Sequence, residues 1–250
     1  MIRDFGRRLY GTIAVVYGAL TLYWHDAHTW PPLAVLANAP YRDAVTYLVA
    51  AAAIGGGLAI LWRPTARAGA MVLGALFLGF SVFYLPGIVR APLVYDSWGN
   101  FFEQFSIFSG ALIAYASVAA GSVPWRARVG AIGRACFGVS VLSFALEQAF
   151  YLHATATLVP KWMPPDQTFW AIATTIAFVL AALAILSGLW ALEASRLLTA
   201  MLVLFAVLVW FPALAANPGS HFIGSETAET FAIAAAAWIL ADYLLATARR

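Results

Sequence analysis

Five stretches of this chain run for 19 residues or more without an Asp, Glu, Lys or Arg: 44–62, 68–89, 104–125, 167–192 and 197–220. About 20 apolar residues in α-helix cross the hydrocarbon core of a bilayer. Inside that core each backbone N–H and C=O must find its partner within the protein, which leaves helices as the solution for single apolar runs. A chain with five such runs is therefore expected to fold as membrane-embedded helices. The composition agrees: 63% of residues are hydrophobic and 10% are charged, where soluble domains carry about 25% charged residues. The net charge of +3 does not point to nucleic acid, because the arginines form short tufts between apolar runs, as membrane topology requires. The lone cysteine, Cys136, excludes an internal disulfide and a CxxC redox pair.

Three further apolar segments are shorter or interrupted. Residues 9–24 end at His25, residues 135–152 contain Glu147, and residues 227–247 contain Glu229 and Asp242. An internal repeat argues that these also span. A shift of 126 residues places Arg8 on Arg134, Pro86 on Pro212 and Glu103 on Glu229, while Leu-Ala-Ile-Leu at 58–61 recurs at 183–186, one residue out of step. The expected fold is an all-α integral membrane protein of eight transmembrane helices, made of two parallel four-helix repeats at 1–125 and 126–250. The segment 9–24 has the basic start of a signal peptide, but its partner in the repeat is internal, so it is read as a retained helix. In the eight-span arrangement eleven basic residues (Arg3, Arg7, Arg8, Arg63, Arg67, Arg126, Arg128, Arg134, Arg196, Arg249, Arg250) share one side, against Arg42, Arg90 and Lys161 on the other. The positive-inside rule then places both termini in the cytoplasm and the chain in a bacterial inner membrane. With four spans per half, the pseudo-twofold axis runs along the membrane normal.

The polar residues are one-sided. His25, His28, His153 and His221 all fall toward the outer face of this arrangement, with Glu103, Glu147, Glu226 and Glu229. His25 and His28, three apart, share a helix face if the helix continues; with His153 they are candidate metal ligands, although no metal motif is spelled out and solvated helix ends are the commoner explanation. Glu147 is the most informative residue, because a carboxylate within a span costs about 2.5–3.5 kcal/mol to insert and so turns toward protein or water. Ser140, Ser143, Glu147 and Tyr151 form a polar stripe at helical spacing; Tyr17, Thr21, His25 and His28 form its counterpart in the first segment. Two such stripes would line a central cavity able to take a quinone head group, a proton or another small polar ligand; the competing reading is interhelical hydrogen bonding as packing glue. Glu103 and Glu229 complete the candidate ligand-binding set, although a carboxylate in the first helical turn also complements the helix dipole, and Asn100 with Glu103 resembles a capping box. No P-loop, GxSxG or HExxH occurs, and Gly55-Gly56-Gly57 suits close helix packing better than phosphate binding.

The second half, with "LVPKWMPPDQTFW", "ASRLLTAMLVLFAVLVWFP" and "ETFAIAAAAWILAD", resembles DoxX-like membrane proteins, and the first half repeats the pattern in "ARAGAMVLGALFLGFSVFYLP" and "FFEQFSIFSGALIAYA". The resemblance covers about 9–118 and 135–245 as two four-helix units. It implies a subunit or accessory protein in quinone-linked redox chemistry, working beside other membrane or periplasmic subunits within the lipid bilayer. A small-molecule or ion transporter and a non-catalytic scaffold are the other readings, and an intramembrane carboxylate in a parallel-repeat fold fits the first of these.

Overall fold

The computed structural model describes residues 4–25, 38–118 and 122–248, and among these the chain is helical with no strand. The helices are α1 (Phe5–Trp24), α2 (Arg42–Leu61), α3 (Ala66–Phe83), α4 (Leu85–Arg90), α5 (Asp96–Val118), α6 (Val123–Phe150), α7 (Leu152–Leu158), α8 (Gln167–Ser187), α9 (Ala191–Phe205), α10 (Phe211–Ala216) and α11 (His221–Ala248). A π-helical turn, Ala206–Trp210, joins α9 to α10.

Seven helical segments among the described residues have the length and apolarity to cross a membrane: α2, α3 with α4, α5, α6, α8, α9 through α10, and α11. This is a multi-pass membrane protein. The sequence suggested eight spans, and the segment outside the seven is α1. It is 20 residues long, but Arg7, Arg8 and three tyrosines dilute its apolar run. It is nonetheless built into the bundle, burying Tyr10, Ala14 and Tyr17 in the common core.

Local chemistry sets several helix ends. Ser122 caps α6 by accepting the Trp125 N–H, with a proline in the first turn where no donor is missed. Asp166 caps α8 by accepting the Phe169 N–H at 2.9 Å. Gly188, at φ 83°, closes α8 in the left-handed conformation that glycine adopts without cost. Pro86 and Pro212 each open a short helix, α4 and α10, where proline's missing N–H is tolerated. The break expected at both prolines is present, but its form differs. α3 ends at Phe83, one residue before α4, whereas α9 widens into the π turn.

Helix positions in the two halves correspond closely. Arg42 and Ala66 open α2 and α3; Gln167 and Ala191, each 125 residues on, open α8 and α9. The buried faces keep that interval: Ala66, Ala70, Leu73, Gly74, Phe77 and Ser81 against Ala191, Ser195, Leu198, Thr199, Leu202 and Ala206. Beyond the π turn the interval becomes 126, from Leu85 to Phe211 and Pro86 to Pro212. The helices pack in a closed ring, α1–α2–α3–α5–α6–α8–α9–α11 and back to α1, with α5 and α11 also in contact across the middle. There Gly110 lies against Ala236, close enough that a Cβ on the glycine would stand 2.6 Å from the alanine Cβ. Close approach of this kind, between small residues, is what draws helices together where lipid offers no hydrophobic driving force.

Candidate functional site

The two inner helices, α5 and α11, bring polar side chains together toward the ends where both begin. Gln104 of α5 and Glu229 of α11 are buried, 2% and 7% exposed, and the Gln104 Nε2 donates to Glu229 Oε1 at 2.6 Å. The other amide atom, Gln104 Oε1, is buried without a hydrogen-bond partner among the described residues. Glu103, beside Gln104, and Glu226, three residues before Glu229 and so on the same helix face, are half-buried. Glu147 arrives from α6, whose packing on α5 presses its carboxyl group onto Gly99. Glycine leaves that carboxyl its room, because a Cβ at position 99 would meet it and displace it. Glu103, Glu147, Glu226 and Glu229 lie within electrostatic reach of one another.

The ion pairs among the described residues join Asp4 with Arg7 and Arg63, and Arg42 with Asp43; none reaches these four glutamates. Carboxyl groups gathered without a cation relieve their repulsion by sharing protons, or by binding a hydrogen-bond donor or cation from outside. Three phenols lie within their electrostatic reach. Tyr17 of α1 and Tyr84, between α3 and α4, both sense the charges of Glu103, Glu226 and Glu229. Tyr95, just before α5, pairs its hydroxyl with Ser143 Oγ at 2.9 Å and stacks on Phe150 at 5.2 Å. Burial pushes the Tyr95 phenol up; the Ser143 bond opposes this, and the nearby Glu147 charge reinforces it. An aromatic ladder, Phe101, Phe102, Phe105 and Phe108, climbs α5 beside the cluster with ring centroids 5.0–6.2 Å apart.

Glu103, Glu147 and Glu229 therefore converge, with Ser143 alongside through Tyr95 and Tyr17 at the α1 side. The two polar stripes do not face one cavity, since α5 and α11 stand between α6 and α1 in the ring. Tyr17 is packed in the core against Phe77, 5.7 Å between centroids, and Thr21 donates to the Tyr17 carbonyl. Tyr151 ends α6, 38% exposed, on the surface. The capping reading of Glu103 and Glu229 needs correction. α5 starts at Asp96 and α11 at His221, so Glu103 and Glu229 lie about 10–12 Å along their helices at 1.5 Å per residue, beyond the first turn. Asn100 is likewise inside the helix, donating to the Asp96 carbonyl at 2.7 Å.

The histidines disperse. His25 Nδ1 stands 3.3 Å from the Tyr47 hydroxyl, His153 is exposed on α7, and His221 stacks on Trp24 at 4.4 Å. His28 lies outside the described residues. Among the described residues, no three His, Cys, Asp or Glu side chains are placed to hold one metal ion.

Sequence reasoning missed Gln104, Glu226, Tyr84 and Gly99 as parts of the site. The i, i+3 pair Glu226–Glu229 was the available signal. Nothing in a single sequence marks Gln104, whose role depends on α5 lying beside α11. No protein-family model, curated protein or solved structure matches the chain.

Proposed function

We propose that this chain is a DoxX-like subunit or accessory protein of the bacterial inner membrane, serving quinone-linked redox chemistry at a carboxyl-rich site on its outer side. In this reading the protein is two tandem four-helix repeats, 1–125 and 126–250, with α1 and α6 as equivalent helices and both termini in the cytoplasm. The matching helix positions and the contact of α5 with α11 support the duplication. The paired contacts, α5 on α6 and α11 on α1, are what a twofold axis between α5 and α11 requires.

The observation that carries the functional reading is the gathering of Glu103, Glu147, Glu226 and Glu229 from three helices, with no ion pair to any of them among the described residues. A quinone head group suits this place. Its oxygens accept from protonated carboxyls or donate, as a quinol, to carboxylates and to the orphaned Gln104 Oε1. The ring has Phe101, Phe102 and Phe105 to stack upon. When bound, a quinol supplies electrons to an acceptor in a partner subunit and releases protons. The residues of this chain bind the head group, orient it and take up those protons. Transport of a polar solute is less well supported, since below the cluster the inner helices close on fully buried Ile107, Ala111 and Ala236.

Native mass spectrometry of gently extracted protein tests the reading. Quinone bound at one per chain, and lost in Glu147→Gln and Glu229→Gln, is the expected result. Ligand-free protein that travels only with another polypeptide would overturn it in favour of a scaffold.

A further inference from the structure

At the end of the bundle away from the carboxyl cluster, a cleft of about 320 Å3 opens between the start of α1, the α2–α3 turn and the last turns of α5 and α11. Asp4, Arg7, Arg63, Ser117, Asp242 and Tyr243 are among the residues that line it. Two guanidinium groups thus face two carboxylates. Asp4 is the hub: its Oδ2 accepts from Arg63 Nε at 3.0 Å and Nη2 at 2.7 Å, and Arg7 Nη2 stands 3.5 Å away. Asp242, on α11, accepts the Gly6 N–H at 3.0 Å. Ser117 is already engaged, donating to the Ala114 carbonyl.

Arg7 is the unusual member. It is only 5% exposed, and its Nη1 donates to the Ile60 carbonyl. Its Nε–H is buried with no acceptor among the described residues. Buried polar groups in proteins nearly always find a partner, and a guanidinium brings five donors in a rigid fork. The cleft beside it greatly exceeds the roughly 30 Å3 that one water occupies. A buried cation with an unmet donor, on the wall of a polar cleft of this size, can take an oxygen acceptor larger than water.

We propose that this cleft holds the phosphoethanolamine head group of a membrane phospholipid, with phosphate oxygens on Arg7 and Arg63 and the ammonium against Asp242. Guanidinium groups match phosphate oxygens in bidentate geometry. Basic pockets between transmembrane helices are where lipid head groups are recognised. The two carboxylates decide which head group. Among the described lining residues they balance the two arginines, which suits a zwitterion and opposes an anionic lipid. The acyl chains then run down the bundle surface into the bilayer. This inference rests on the chain lying in a membrane and is independent of the carboxyl site at the other end.

The test uses the full-length protein, delipidated in mild detergent and titrated in parallel with phosphatidylethanolamine, phosphatidylglycerol and inorganic phosphate, with native mass spectrometry counting retained adducts. One phosphatidylethanolamine per chain is expected, held about fivefold more tightly than phosphatidylglycerol, the effect of about one charge near the surface. Arg7→Gln should abolish the adduct. Asp242→Asn leaves Arg7 and its Ile60 contact in place and should shift the preference toward phosphatidylglycerol. If Arg7→Gln does not fold, Asp242→Asn and the exposed Arg63→Gln carry the test. Equal retention of the two lipids by the wild type, or an unchanged preference in Asp242→Asn, overturns the proposal. Inorganic phosphate that displaces the lipid at millimolar concentration also overturns it, and makes the cleft a site for the free anion.

Discussion

Three consecutive glycines on α2 provide a sharp test of the helix packing, because each faces a different environment. A Cβ on Gly57 would lie 2.7 Å from the Gly11 carbonyl oxygen and 2.9 Å from the Val15 nitrogen, both backbone atoms of α1. Ordinary contact begins at about 3.4 Å, so Gly57→Ala forces α1 and α2 apart by several tenths of an ångström along their shared interface. Backbone has no rotamer by which to escape. Overpacking of this kind costs about 1–3 kcal/mol, and here the upper half of that range applies. Alanine recovers about 1 kcal/mol of helix propensity, so the net loss should be about 1–2 kcal/mol. Gly55 has nothing within 4 Å of its would-be Cβ, so Gly55→Ala keeps only the propensity gain, about 0.5–1 kcal/mol of added stability. Equilibrium unfolding in mixed micelles titrated with SDS, followed by circular dichroism, measures both variants against the wild type. A difference between them below about 0.5 kcal/mol, the scatter of neutral surface substitutions, would refute the close approach of α1 and α2 at this point.

Two further outcomes are expected. Gly99→Ala meets only the flexible end of Glu147, so it should leave stability within about 1 kcal/mol of wild type, helped by propensity, yet displace the carboxyl and, on the proposed quinone reading, weaken quinone retention as is expected of Glu147→Gln. Retention at the wild-type level in Gly99→Ala would separate Glu147 from the site. At the other end, partial burial pushes the Asp4 carboxyl up, but the Arg63 hydrogen bonds and the charges of Arg7 and Arg63 outweigh it and hold the group below its ordinary 3.8. A carboxyl depressed in the folded state stabilises above its unfolded value, and that contribution is lost as pH falls through the folded value. The stability advantage of wild type over Asp4→Asn should therefore be full at pH 6 and shrink below about pH 4; an advantage unchanged down to pH 3 would exclude the ion pair as its source.

The membrane-embedded helical architecture was legible because lipid imposes it. An apolar run of some 20 residues has few alternatives, and Pro86 and Pro212 marked breaks that are present. Gly57 and Gly56 do serve packing, against α1 and α3, whereas Gly55 points away from both; composition alone cannot tell three adjacent glycines apart. The depth of Glu103 and Glu229 was misjudged for a physical reason. Charge-free apolar runs mark the middle of a span, but α5 and α11 begin seven and eight residues before Glu103 and Glu229, held by contacts such as Trp24 against Gly224 and the Tyr95–Ser143 bond. The carboxyl site was half visible. Glu147 stood out because charge inside a span is costly, while Gln104 and Glu226 gain meaning only when the ring of helices brings α5, α6 and α11 together. The pairing of polar stripes failed because spacing along one helix says which residues share a face, and nothing about what that face meets.

The π turn at Ala206–Trp210 has a bearing on how this chain came by its present length. A residue added to an α-helix ordinarily rotates everything beyond it by about 100° and advances it by 1.5 Å, which in a packed bundle would turn a buried face toward lipid. The α9 to α10 segment has 26 residues where α3 to α4 has 25, and the interval between matching positions changes from 125 to 126 across that turn. On the duplication reading, the extra residue has been absorbed as a single widened turn, the form in which π-helix most often occurs. The faces on either side kept their neighbours, and the proline-led tip kept its place. On that reading, a one-residue difference between the halves is confined to a single turn of one helix.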